Sequence, residues 1–202
     1  SGIWYRTYSG GVWSTPFQVT NATIEYPRLT ITPAGEVFAV WNQGFENDNT
    51  TVRVRWTQGG IWQAEATLSS VGVRSFWGFP IIGATADSKE KVYVVSVERD
   101  VTDGKVDVLY RTFQSGIWGS PEDVDLNNFD ADEPIVYSDK LDNLHFLWTE
   151  QEAVTGLWQI YYNSILADTS PPVITITTPQ PFAVLPKGTA LDFTATDDLS
   201  GV

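Results

Sequence analysis

One eight-residue pattern recurs three times and limits the possible folds more than any other feature. It reads Arg6-Thr7-Tyr8-Ser9-Gly10-Gly11-Val12-Trp13, then Arg55-Trp56-Thr57-Gln58-Gly59-Gly60-Ile61-Trp62, then Arg111-Thr112-Phe113-Gln114-Ser115-Gly116-Ile117-Trp118. Val19, Leu68 and Val124 each follow their tryptophan at the same distance. A register shared this closely marks an internal repeat. Gly10-Gly11, Gly59-Gly60 and Ser115-Gly116 supply the left-handed positions of a tight β-turn. Each copy is therefore a hairpin, and its tryptophan is expected to be buried just after the turn. Pro16 and Pro121 fall in the strand that follows. A proline cannot donate to a ladder, so this strand belongs at a sheet edge.

The hairpins sit in a longer unit. Pro27, Pro80 and Pro134 recur at intervals of 53 and 54 residues, and Trp13, Trp62 and Trp118 at 49 and 56. Between a proline and the next hairpin run two apolar strands joined by a turn, as in Leu29 to Ile31 and Val37 to Trp41. Inner strands that are apolar on both faces must be covered on both. A period of about fifty residues with four short strands predicts an all-β chain of β-propeller blades. No stretch has helical periodicity.

The 202 residues are 42% apolar and rich in aromatics, enough for one large domain or two small ones. Net charge is −13, which argues against a nucleic-acid partner. It suits an extracellular or cell-surface protein, or one that binds cations. No apolar run reaches the ~20 residues of a membrane span. With no cysteine there is no disulfide and no thiol chemistry.

The repeat count is uneven: half a blade, two full blades, and a last blade lacking its fourth strand, together spanning residues 1–167. Leu157 to Asn163 matches a third strand, with Asn163 at the arginine position, but no Gly-Ile-Trp follows. An open ring predicts partners: remaining blades of the same polypeptide or another copy of the chain. A piece of a longer polypeptide is the favoured expectation. After a linker at 168–172, Val173-Ile174-Thr175-Ile176 and Ala190 to Thr196 read as strands of a second unit, 173–202.

Two resemblances follow from these residues. The hairpin, with Gly11, Gly60 and Gly116 before Trp13, Trp62 and Trp118, resembles a degenerate Asp-box turn of sialidase-like propellers; the aspartate of that motif is missing from every copy. The Pro171-Pro172 pair, the Ile-Thr-Ile strand and Thr196-Asp197-Asp198-Leu199-Ser200-Gly201 resemble the opening of a bacterial immunoglobulin-like domain. The first resemblance implies a propeller fold. It would imply sialidase activity only with an arginine triad gripping a carboxylate. Arg6, Arg55 and Arg111 repeat at one scaffold position, so they are read as structural. Arg28 follows Pro27 near the start of an inner strand, but Tyr26-Pro27-Arg28-Leu29 departs from the family's Arg-Ile-Pro. No catalytic residue is assigned.

Candidate sites are few. Asp125, Asn127, Asp130 and Asp132 offer hard oxygens suited to Ca²⁺, with Glu150 and Glu152 on a loop expected beside them. A solvated acidic loop is the competing reading. Asp197 and Asp198 form a second calcium candidate. His145, the single histidine, is read as packed in the core. Phe76, Trp77, Phe79 and Phe129 are read as packing between blades, with stacking on sugar rings as the alternative. The expected function is non-catalytic: adhesion, glycan recognition or surface and filament scaffolding. The alternative is part of a sialidase-like glycoside hydrolase whose catalytic blades lie outside this chain.

Overall fold

The computed structural model describes residues 2–22, 24–44, 50–69, 82–99, 104–125, 130–152, 154–167, 173–178 and 192–196. Every regular element among them is a strand. Strand β1 (Ile3–Tyr5) pairs with β4 (Phe17–Thr20), and β2 (Tyr8–Ser9) with β3 (Val12–Trp13), which gives the first hairpin. A complete sheet follows: β5 (Ile24–Ile31), β6 (Val37–Gln43) and β7 (Thr51–Gln58), closed by an outer strand in two pieces, β8 (Ile61–Trp62) and β9 (Ala66–Thr67). The second complete sheet repeats the order with β10 (Ile82–Ala86), β11 (Val92–Arg99), β12 (Val106–Gln114), β13 (Ile117–Trp118) and β14 (Glu122–Asp123). The third has β15 (Ala131–Ser138), β16 (Leu144–Gln151) and β17 (Trp158–Ile165). All pairings are antiparallel.

The outer strand breaks where a continuous one was expected. Pro16 lies between β3 and β4, and Pro121 between β13 and β14. The edge position is as read from the sequence, but the break does not need proline, since β8 and β9 part at the same place with Glu65 there.

The inner strands stand side by side, β10 packing between β5 and β15. Gly83 makes this approach possible. A Cβ there would sit 2.9 Å from Val95 Cγ1, 3.2 Å from the Val136 nitrogen and 3.3 Å from the Pro134 oxygen. Burial follows the stacking. Val92 to Glu98 are all buried, because β11 has a sheet on each side, whereas β16 alternates buried and less buried residues. The main core joins Val40, Val54, Val95, Val108 and Phe146 across all three sheets. A smaller core joins Val19 of the first unit to Ala39 and Trp41.

Successive blades are tied at the turns between first and second strands. Thr32, Asp87 and Asp139 open equivalent turns, each donating its N–H to the carbonyl four residues on. The residue three positions along is left-handed in each: Gly35 (φ 87°), Glu90 (φ 65°) and Asp142 (φ 63°). The two acids reach back to the preceding turn. Glu90 Oε1 accepts the Ala34 N–H at 2.8 Å, and Asp142 accepts the Ser88 N–H at 2.8 Å and its hydroxyl at 2.7 Å. Beyond the blades, β18 (Val173–Thr178) and β19 (Asp192–Thr196) pair as a separate two-stranded sheet.

The tryptophan expectation needs correction. Trp62 and Trp118 are half-buried and Trp13 is 57% exposed. Trp62 and Trp118 are covered in part by the preceding unit, and Trp118 also by Phe113 of its own hairpin at 5.0 Å. Trp62 stacks on Phe17 at 5.6 Å and meets Tyr5 edge-on at 5.3 Å. Trp118 meets Phe38 and Trp56 edge-on, at 6.4 and 6.5 Å. Trp13 has no such neighbour among the described residues.

Gly83→Ala tests the close approach, since two of the three obstructing atoms are backbone and cannot swing aside. Such overpacking costs about 1–3 kcal/mol, expected as a lower urea midpoint with an unchanged slope.

Candidate functional site

Two of the inner strands carry the same irregularity. Tyr26 before Pro27 (φ 48°) and Glu133 before Pro134 (φ 55°) are left-handed. The ladder slips at both places, between Glu25 and Arg28 and between Asp132 and Ile135. A bulge with a left-handed residue re-aims the side chains beside it, at a backbone cost of about 1–3 kcal/mol each. Arg28 and Glu133 flank these bulges.

Both line one groove of about 470 Å³ on the inner-strand side. Its lining includes Gly83, Pro134 and Thr149 together with the apolar side chains of Ile135, Leu147 and Trp148. The Arg28 guanidinium donates one hydrogen bond, from Nη1 to its neighbour's carbonyl, Pro27 O, at 3.2 Å. Neither Arg28 nor Glu133 forms an ion pair among the described residues. The groove thus offers one cationic fork and one carboxylate, neither spent on the other, among apolar side chains. Trp148 is buried, its indole N–H held by Glu150 Oε2 at 2.9 Å.

The repeated arginines are scaffold. Arg6 Nε donates to Ser14 O at 2.9 Å and Arg55 Nε to Gln63 O at 2.7 Å, each bracing its own hairpin. Arg55 also crosses to the preceding unit, from Nη1 to Val19 O at 2.6 Å. Asn163, at the same repeat position, donates to Val124 O at 2.9 Å and does the same work with a shorter side chain. Arg111 is buried against Glu98 in a two-pronged pair, with Nη2 to Oε2 at 2.9 Å. Glu98 also accepts the Ser96 hydroxyl at 2.6 Å. The three arginines therefore hold separate places.

His145 is not a packed core residue. It lies partly exposed on β16, with Nδ1 2.8 Å from the Tyr162 hydroxyl and Nε2 3.2 Å from Asp139 Oδ2. The Asn143 amide, with His145 and two backbone N–H groups, holds the Asp139 carboxyl down at about 2.

The acidic loops are neighbours, as expected: Gln151 donates its N–H to Asp130 O at 3.0 Å, and Ala131 pairs with Glu150. Their carboxylates are nonetheless separately engaged. Asp130 pairs with Lys105 at 3.7 Å. Asp132 is fully buried and accepts the Glu133 N–H at 2.9 Å. Asp125 accepts the Val108 N–H at 3.2 Å. Glu152 accepts the Thr155 hydroxyl at 2.6 Å. Among the described residues no three such groups stand together as a metal site. Asn127, Asp197 and Asp198 lie outside the described residues, as do Phe76, Trp77, Phe79 and Phe129. Burial, then the Asp123 carboxylate beside it, pushes Asp125 up to about 8.

Arg28 and Glu133 were each visible in the sequence, one beside a recurring proline and one ending an acidic run. That both line one groove was not. The available signal was the shared X-Pro step itself, since Tyr26-Pro27 and Glu133-Pro134 occupy one repeat position.

No family model and no curated protein matches this chain. Solved structures do. The intramolecular trans-sialidase of Ruminococcus gnavus, in complex with oseltamivir carboxylate, is similar over 78% of this chain and 36% of its own, with 12% identity and a TM-score of 0.50. The Penicillium chrysogenum α-L-arabinanase complexed with arabinobiose matches 70% of this chain and 45% of its own, at 12% identity and 0.48. The GH93 α-L-arabinofuranosidase of Fusarium graminearum matches 85% and 61%, at 10% and 0.46. The fold is thus a sialidase-like β-propeller, and the chain spans less than half the length of the first two.

Two measurements probe this framework. Arg111→Met leaves Glu98 buried and uncompensated, a loss of about 3–5 kcal/mol; adding Glu98→Leu restores most of it in urea titrations. Asp125 keeps its proton in the fold up to about pH 8 but releases it near 3.8 when unfolded. Its contribution is therefore full at low pH and lost as pH rises through that window. The urea midpoint falls between about pH 5 and 8, and falls less in Asp125→Asn.

Proposed function

We propose that this chain is a glycan-binding part of an extracellular or cell-surface propeller protein, with the Arg28–Glu133 groove as its binding site. The observation that carries the reading is the pair of opposite charges left uncommitted among apolar side chains. Sugars present an apolar C–H face and a rim of hydroxyls, so a site for them needs a few polar groups above apolar contact. Arginine suits a carboxylate or vicinal hydroxyls through its fork, and Glu133 accepts from hydroxyls. Similar solved propellers act on or bind sugars, which favours the ligand class. The −13 charge and the absence, among the described residues, of a helix long and apolar enough to cross a membrane fit this setting. The β18–β19 sheet is read as the opening of an immunoglobulin-like module that extends the propeller from a surface. Adhesion or scaffolding follows from such binding.

A glycan array followed by calorimetry tests the site. Losing a charge-assisted hydrogen bond costs about 1.5–3 kcal/mol, so Arg28→Ala and Glu133→Gln each raise Kd about ten- to hundredfold with unchanged circular dichroism. Binding that survives both changes removes the groove from the proposal. The hydrolase reading rests on the shared fold, and release of 4-nitrophenol from aryl glycosides by this chain, abolished in Glu133→Gln, would favour it.

A further inference from the structure

We propose that the open face of the third blade is the docking site for a second copy of this chain, joined head to tail. The argument rests on repeat equivalence. Arg55, Arg111 and Asn163 share one third-strand position, shown by Arg55 and Asn163 making the same bond to the preceding unit's outer strand. The residue one place earlier is then equivalent in each unit: Tyr5, Val54, Tyr110 and Tyr162. Three places earlier stand Val52, Val108 and Ile160. These positions point toward the following unit. Val52, Val54, Val108 and Tyr110 are buried by it. Ile160 is 76% exposed and Tyr162 58%. The third blade keeps the apolar character of a covered face, with Ile135, Tyr137 and Leu147 continuing it across β15 and β16.

The complement lies at the other end of the same chain. Toward the preceding side, the first units expose Trp4, Trp13, Leu29 and Ile31. Within the chain, Tyr5 receives Trp62 edge-on at 5.3 Å. Tyr162 is the equivalent of Tyr5, and Trp13 of Trp62. The contact made once internally is thus presented unmade, as two halves, at opposite ends. Both halves are oriented: the Tyr162 hydroxyl is held by His145 at 2.8 Å, and Trp13 lies under the Arg6 guanidinium at 5.5 Å. Contiguous exposed apolar surface of this kind marks an interaction site. An interface between two different patches is heterologous, so each copy has one donor face and one acceptor face. Seating a second copy would also wall the open side of the groove at Ile135 and Leu147.

Sedimentation velocity and light scattering on the 202-residue chain test this without any glycan. The expected result is a mass that rises with protein concentration. It also rises with salt, because chains of net charge −13 repel. Tyr162→Glu and Trp13→Glu, both at exposed positions and both checked by circular dichroism, should each remain monomeric alone. An equal mixture of the two should give dimers and nothing larger, since one intact pair of faces survives. A wild-type chain that is monomeric at every concentration and salt overturns the proposal and assigns the face to a further blade of a longer polypeptide. Self-association unaffected by either change overturns it as well.

Discussion

Val40 and Trp41 are adjacent on β6, so their side chains leave opposite faces of one sheet, and neither is reached by water. No helix among the described residues is present to cover either face. Another sheet must therefore lie on each side, and that requirement organises the molecule. It sets the inner strands close together and requires a glycine at position 83. It also explains why hydrogen bonds between blades concentrate where apolar contact ends. The Glu90 and Asp142 clasps tie the turns, while Arg55 and Asn163 tie the outer strands. A sheet face alone has little directional preference, since the hydrophobic effect is non-directional. The polar ties fix the register between blades that burial leaves free.

Much of this was legible because the repeat is written in local turn chemistry. The glycine pairs set the hairpins, and the recurring prolines set the period. Even the substitution of Asn163 for arginine could be placed. Burial was less legible, for a physical reason. Part of the cover over a tryptophan belongs to the neighbouring unit, so one repeated motif gives a half-buried Trp62 and an exposed Trp13. His145 shows the same limit: its strand pattern reads as core, but among the described residues no further sheet lies over its face, and only Tyr162 and Asp139 partly cover it. The groove was the least legible feature. Arg28 and Glu133 are far apart in sequence, and only the packing of β10 between their strands brings them to one place.

The bulges show how a repeating scaffold acquires a site. A regular inner strand alternates its side chains between two neighbouring sheets and leaves little for a ligand. A left-handed residue before proline shifts that alternation around the proline, at Glu133 itself on one strand and at Arg28, just past Pro27, on the other. The clasps on the adjacent turns hold the strand ends in place, so the strain at Tyr26 and Glu133 does not relax into a slipped register.

Recurrence and singularity then separate structure from function within one chain. Arg55 has an equivalent in every unit and finds one carbonyl acceptor across the blade boundary, Val19 O, and one in its own hairpin, Gln63 O. Arg111 shares that position yet is neutralised by Glu98, and a buried guanidinium paired with a carboxylate has no capacity left for a ligand. Arg28 has no such obligation. Its repeat partner on β15 is Ile135, an aliphatic residue, so the scaffold does not need a charge there. A cation that the fold does not need, beside a carboxylate it does not pair with, is held at the cost of two strained residues. Stability alone gives no reason to keep that arrangement; the ligand proposed for the groove would supply one.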